Sequence, residues 1–250
     1  LNERAPFFAS DLEELHERLY QQADRVVPMR DIWKGDIGQR VIGLRHDVDD
    51  NPGSLDTALR MAEWEFDHGY SSTYFLLHTA PYWNEDMLCR APLFEELGHE
   101  VGIHVNAVAE ALRSHRQPAH ILRDALDELR SCGVRVEGCV AHGERECYDS
   151  RGQVRFVNDE MFVESPRPSL GKPDRKIVGS DWVIDLRPVP RSEFGLGYDS
   201  NWLRRDQYLS DSGGRWSRVF DEVVDGFGQG QLHMLVHPDW WARAFVEVPV

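Results

Sequence analysis

The sequence predicts an α/β fold, a mostly parallel sheet covered by helices, and three observations carry that expectation. Five short apolar runs, at 41–44, 72–77, 100–104, 136–141 and 231–236, alternate with longer amphipathic stretches. Alternation of this kind joins parallel strands through crossover helices. The polar residues of these runs collect at their C-terminal ends, as Asp47 and Asp49, His104, His142 and His237. In parallel α/β folds that edge carries the active site. The third observation is size. With 250 residues, 41% of them hydrophobic, the chain can bury a large core without staples, and we read it as one domain over 1–250.

The elements follow in order. Ser10, with Asp11 and Glu13 after it, reads as a capping box, and Leu12, Leu15 and Leu19 mark one face of a helix running to about Asp24. Val41 to Leu44 is a buried strand that ends in Arg45-His46-Asp47-Val48-Asp49-Asp50. A helix follows with Leu55, Leu59, Ala62 and Phe66 on one side, and Gly69 closes it. Residues 72–77 form a second strand, and Phe94 and Leu97 belong to a short helix closed by Gly98. The third strand is 100–104. Helices near 106–114 and 118–131 precede the fourth strand, 136–141. The stretch 144–215 is proline-bearing and less regular, with a strand expected at 182–186. The last strand, 231–236, ends at His237-Pro238.

Charge and composition exclude several functions. A formal net charge of −15 argues against a nucleic-acid binder or a partner of anionic membranes, while leaving room for a local basic pocket. No stretch approaches the roughly 20 apolar residues of a membrane span. The polar N-terminal segment has no apolar core of a secretion signal, so a cytoplasmic location is expected. Cys89, Cys132, Cys139 and Cys147 form no CxxC pair and read as reduced thiols.

The segment RHDVDD places three carboxylates and an imidazole at one strand end, where a divalent cation is their natural partner. Asp47 and Asp49 are two apart, so on an extended backbone they point the same way; Asp50 reads as a helix cap. GHEVGIH superficially resembles the HExxH helix of zinc proteases. Its histidines, His99 and His104, are five apart rather than four, and Gly102 disfavours a helix, so we reject that reading. As a strand end, His104 faces the site and His99 faces away. His142 lies at the fourth strand end, before Gly143. His237 lies at the last, with His233 deeper and structural. Trp240 and Trp241 can stack on a sugar or pack the closing turn. YDSNWLRRD (198–206) and SDSGGRW (210–216) read as substrate-facing loops, and Arg204 and Arg205 can hold a phosphate or carboxylate.

In order and spacing, RHDVDD, STYFLL, GHEVGIH, the AHG turn, YDSN and LVHPDWW resemble the polysaccharide deacetylase family, the NodB-homology metal-dependent esterases. The resemblance runs from Arg45 to Trp241. It points to a divergent branch carrying RHDVD, similar to the WbmS-type proteins of O-antigen biosynthesis. The family's fold implies a distorted (β/α) barrel, with the N-terminal helix packed on it. Carried over, the resemblance makes Asp47 the catalytic base, Asp49 and His104 metal ligands, and His237 the acid for the leaving group. The family's second motif is His-x-x-x-His, but here its second position is Val108. We expect His142 to supply the missing ligand. Arg45, Tyr198, Asp199, Trp202, Arg205 and Trp240 are the expected substrate-binding residues. The implied cofactor is Zn²⁺ or another divalent transition metal, and the implied reaction removes an acyl group, N-acetyl first, from a sugar or oligosaccharide precursor. A non-hydrolytic carbohydrate-binding protein and a hydrolase of a non-sugar amide stay open, and the oligomeric state is unassigned.

Overall fold

The computed structural model describes residues 6–35, 38–166, 175–217 and 219–245. In chain order the main elements are α1 (Ala9–Arg18), β1 (Arg25–Val27), α2 (Met29–Lys34), β2 (Arg40–Val48), α3 (Ser54–Asp67), β3 (Thr73–Leu77) and α4 (Glu85–Glu96). They continue with β4 (Glu100–Val105), α5 (Ala107–Ser114), α6 (Pro118–Ser131), β5 (Gly138–Ala141), β6 (Arg175–Val178) and β7 (Val183–Leu186). The chain closes through β8 (Tyr198–Asp199), β9 (Gln207–Ser210), α7 (Phe220–Gly226) and β10 (Gly230–Val236).

Eight strands make one sheet in the order β8-β5-β4-β3-β2-β10-β9, with β1 beside the first half of β2. Every pairing in it is parallel. β6 and β7 form a separate antiparallel hairpin. The sheet is strongly curled. Laid flat, β2 and β8 stand four strand spacings apart, roughly 19 Å. Yet Arg45, in the second half of β2, donates to Ser200 Oγ, just after β8, at 3.1 Å. Bringing those strands together requires the sheet to curl into a partial barrel. The expected α/β architecture, a distorted barrel of mostly parallel strands, is therefore present, and among the described residues β8 and β9 leave it open.

The core has two sides. On the outer face, α3 to α6 pack over β3, β4 and β5 in one apolar cluster, while α1 and α7 pack with β2, β9 and β10 in another. On the concave face, Met29, Phe75, Val140 and Tyr198 meet inside the curl. Gly102 makes room there: a Cβ at this position would lie 2.4 Å from the Phe75 ring.

The five sequence-predicted strands and the helices 54–67, 107–114 and 118–131 are all found. α3 ends as the glycine rule demands, with Gly69 at φ +74° and the Tyr70 N–H returning to the Glu65 carbonyl at 2.8 Å. Several details differ. The first helix starts at Ala9 and stops at Arg18; a 3₁₀ turn at Tyr20–Gln22 follows instead of helix to 24. Ser10 lies inside its first turn, and it is Asp11 that accepts the Phe8 N–H, at 2.7 Å. Phe66 is 53% exposed, because α3 buries Ala58, Met61 and Glu65 with the predicted Leu55, Leu59 and Ala62. The strand expected at 182–186 is real but belongs to the side hairpin. No helix among the described residues is long and apolar enough to cross a membrane.

Candidate functional site

Three strand ends supply the centre of the site. Asp49 follows β2, His104 is the penultimate residue of β4, and His142 follows β5. His104 Nδ1 lies 3.2 Å from the Val140 carbonyl. A carbonyl only accepts, so Nδ1 carries the hydrogen and Nε2 is left with a free lone pair. That Nε2 is 3.1 Å from His142 Nδ1 and 3.4 Å from Asp49 Oδ1, and the Asp49 Oδ1 to His142 Nδ1 edge is 3.3 Å. A tetrahedral ion with bonds of about 2.0–2.1 Å sets its ligand atoms about 3.3 Å apart, so the triangle has the size of one face of such a site. Asp49 Oδ1 is buried without a hydrogen bond, which is the kind of atom an ion satisfies. Burial works to raise the Asp49 carboxyl, but when the two imidazoles carry protons on their facing nitrogens, their hydrogen bonds and charge outweigh it and hold the group well below the usual carboxylate range. The three residues form a possible metal-binding triad.

Neighbouring groups hold this triad in place. The His142 N–H donates to the Val105 carbonyl at 2.9 Å. Asn158 Nδ2 donates to the His142 carbonyl and to Asn106 Oδ1, both at 2.9 Å. Its Oδ1 accepts the N–H groups of Val108 and Ala109 at the start of α5. Asn158 thus ties the loop bearing His142 to the segment after His104. His78 Nε2 accepts the Asn106 N–H, and burial pushes that imidazole down to about 3, so it stays neutral. His99 is occupied elsewhere: Nε2 lies 3.0 Å from the Ala62 carbonyl and Nδ1 accepts from the Ser72 N–H.

Asp47 lies beside the triad, its Oδ2 3.9 Å from His104 Nε2 and 3.4 Å from Arg45 Nη2. Its other oxygen is buried and unpartnered among the described residues. Arg45 is itself buried. Its Nη1 donates to Ser200 Oγ and Asn201 Oδ1, so it bridges the curl and fixes Asp47.

On the other side, His237 is gripped by Asp211, which follows β9. His237 Nδ1 lies 2.6 Å from Asp211 Oδ1, and the His237 N–H is 3.1 Å from both carboxylate oxygens. Trp241 Nε1 donates to Asp211 Oδ2 at 2.9 Å. Burial alone would lower the imidazole. The Asp211 hydrogen bond and charge, with help from Asp47 and Asp49, push it up to about 9. His237 is therefore an imidazolium at neutral pH, held in one orientation.

The remaining expected residues are dispersed. Tyr198 is buried on the concave face, where its hydroxyl donates to Glu100 Oε2 at 2.8 Å. Asp199 points to the opposite face, 2% exposed, and accepts the Asn201 N–H. Neither side chain is open to a ligand, in contrast to the expectation. Trp202 is 42% exposed and donates to Asp159 Oδ2. Arg205 is exposed, with its guanidinium over the Tyr208 ring. Trp240 is half-buried against the turn at Gly214. Sequence reasoning missed Asn158 and Asp211. Asp211 stood inside the polar segment 210–216, but its role depends on β9 pairing with β10.

No family model matches this chain, and no curated protein matches it. Among solved structures it is similar to the peptidoglycan deacetylase PdaC from Bacillus subtilis, at 17% identity and a TM-score of 0.42, over 83% of this chain and 80% of that one. A likeness this distant bears no weight on function, which rests on the residues above.

Proposed function

We propose that this protein is a metal-dependent hydrolase that removes an acyl group, N-acetyl first, from a sugar precursor of a surface polysaccharide such as O-antigen. The observation that carries the reading is the Asp49–His104–His142 triangle, flanked by a carboxylate with a free oxygen and by a histidine held as imidazolium. A divalent ion, zinc by the mixed Asp/His donor set, supplies Lewis-acid polarisation and an acidified water when bound. Asp47 takes the proton of the attacking water through its unpartnered oxygen, and Arg45 holds it in place. His237 gives its proton to the departing amine, which leaves poorly as an anion. Asp211 keeps that proton on the ring until it is needed. The sugar part of the reading rests on the motif resemblance from Arg45 to Trp241, as do a cytoplasmic precursor substrate and the O-antigen setting.

Elemental analysis of untagged protein, beside Asp49→Ala, His104→Ala and His142→Ala, tests the centre, with acetate release from N-acetylated sugars as the second readout. Near-stoichiometric metal lost in all three variants, with metal-dependent acetate release by the parent, is the expected result. Failure to bind metal even after reconstitution with zinc refutes the hydrolase. Metal without acetate release from any N-acetyl sugar moves the substrate to another amide.

A further inference from the structure

A second recess opens beside His237, and the mechanism above does not use it. It has a volume of about 440 Å³ and is lined by Tyr208, Ser210, Ser212, Arg215, Trp216 and Ser217. Its position follows from strand register. Ser210 pairs with Leu235, and Leu235 with Arg45. Partners in a parallel register point to one face, so Tyr208 and Ser210 project on the face that carries Arg45 and Asp47. Only β10 lies between, which sets the recess roughly 10 Å from the Asp47 strand. The same loop supplies Asp211, so the recess and the His237 proton donor share one wall.

Its chemistry is that of an anion site. Among the described residues the Arg215 guanidinium has no partner. Ser217 Oγ is buried without a hydrogen bond, and Ser210 Oγ and Ser212 Oγ are bonded to each other at 2.6 Å, which leaves one hydroxyl hydrogen of the pair free. No lining side chain is acidic. Asp211 is fully buried and committed to His237 and Trp241. A second guanidinium, Arg205, sits over the Tyr208 ring at 4.9 Å. Gly213 and Gly214, both at positive φ, make the tight turn that precedes Arg215. The volume falls within the range of small-molecule pockets and exceeds what a lone carboxylate fills. The Ser217 hydroxyl, the one hydrogen the Ser210–Ser212 pair leaves free and the Arg215 guanidinium match the several acceptor oxygens of a phosphoryl group.

We propose that this recess is a phosphoryl subsite, so that the substrate is an acylated sugar carrying a phosphate or diphosphate about one ring away from the acyl group. The proposal rests on the hydrolase reading for the sugar but not for the anion. Titration calorimetry on chelator-treated protein keeps phosphate off any metal. The probes are inorganic diphosphate, N-acetylglucosamine, N-acetylglucosamine 1-phosphate, UDP-N-acetylglucosamine and glucuronic acid. Diphosphate is expected to bind the parent and to lose about tenfold or more in affinity in Arg215→Gln, with partial retention in Arg215→Lys. The phosphorylated sugars are expected to bind at least about tenfold tighter than the neutral sugar, an advantage that Arg215→Gln removes. UDP-N-acetylglucosamine binding tighter than the 1-phosphate assigns a diphosphate; the reverse order assigns a monophosphate. Diphosphate binding that is absent, or unchanged in Arg215→Gln, overturns the subsite, and so does an equal advantage for glucuronic acid. These readouts need neither metal nor turnover, so failure of the hydrolase reading leaves them interpretable.

Discussion

Replacing Asp211 with Asn isolates the electrostatic part of the His237 clamp. In the parent, His237 titrates at about 9, against 6.5 for an unperturbed imidazole. Its folded value is raised, so the stability it contributes is fully present below about 6.5 and is lost as the pH climbs through about 9. The difference corresponds to about 3 kcal/mol. Asn preserves the shape and one acceptor oxygen for the ring, but removes the charge and puts an NH2 group where Oδ2 accepted from the Trp241 indole. Burial, the largest influence on this imidazole, then acts with only Asp47 and Asp49 against it, and the ring titrates lower. Urea unfolding of chelated protein at pH 6 and at pH 9.5 reads this directly. The loss in Asp211→Asn is expected to be about 3 kcal/mol larger at pH 6 than at pH 9.5. A pH-independent hydrogen-bond loss cancels in that comparison. An equal loss at both pH values, or an NMR titration of His237 unchanged by the substitution, refutes the clamp.

The other expectations concern the base, the core and the polar layer behind the site. Asp47→Asn should retain metal while acetate release falls by about 10²–10⁴-fold; turnover near the parental rate removes Asp47 from the mechanism. Gly102→Ala should cost about 1–3 kcal/mol in urea unfolding, since the new methyl meets the Phe75 ring in a packed interior; a neutral result means that the ring can move aside. Glu65 accepts from Ser72 Oγ at 2.6 Å and Tyr74 OH at 3.0 Å and pairs with His46 Nε2 at 2.7 Å, all buried. Glu65→Ala strands three polar groups and should cost about 3–5 kcal/mol by the same measurement; a loss below about 1 kcal/mol shows that water replaces the carboxylate.

What was legible in the sequence follows element length and contact range. β2, β3, β4, β5 and β10 carry four or more residues of apolar pattern, and their polar ends therefore stood out. β1 has three residues and β8 two, too few for a period-2 signal. That is why Tyr198 and Asp199 were expected at the substrate. In a two-residue strand the sequence does not tell which side chain faces inward, and here neither reaches the open mouth. Asp49 is linked to its own strand end and was visible as part of a local run. The partner of His237 is 26 residues upstream and is placed by the β9–β10 register, which no local pattern encodes. The basic recess was half visible, as a polar loop whose Arg215 acquires meaning only beside β10.

The possible metal-binding triangle is drawn from three strand ends, with an apolar residue at position 108. Val108 stands four residues after His104, in the first turn of α5. That position is fully buried in the cluster under α5, with its N–H spent on Asn158. An imidazole there faces apolar neighbours and would be desolvated without a partner. The adjacent strand offers a better mount. β5 lies one spacing from β4, and the His104 and His142 rings stand 4.7 Å apart, nearly perpendicular. With His104 Nδ1 spent on Val140, its lone pair meets His142 Nδ1 edge-on beside Asp49. Asn158, by donating to the His142 carbonyl, holds the loop that carries this ring. Val108 is thus an apolar residue where α5 needs packing, and His142 a possible donor where the next strand end is already anchored.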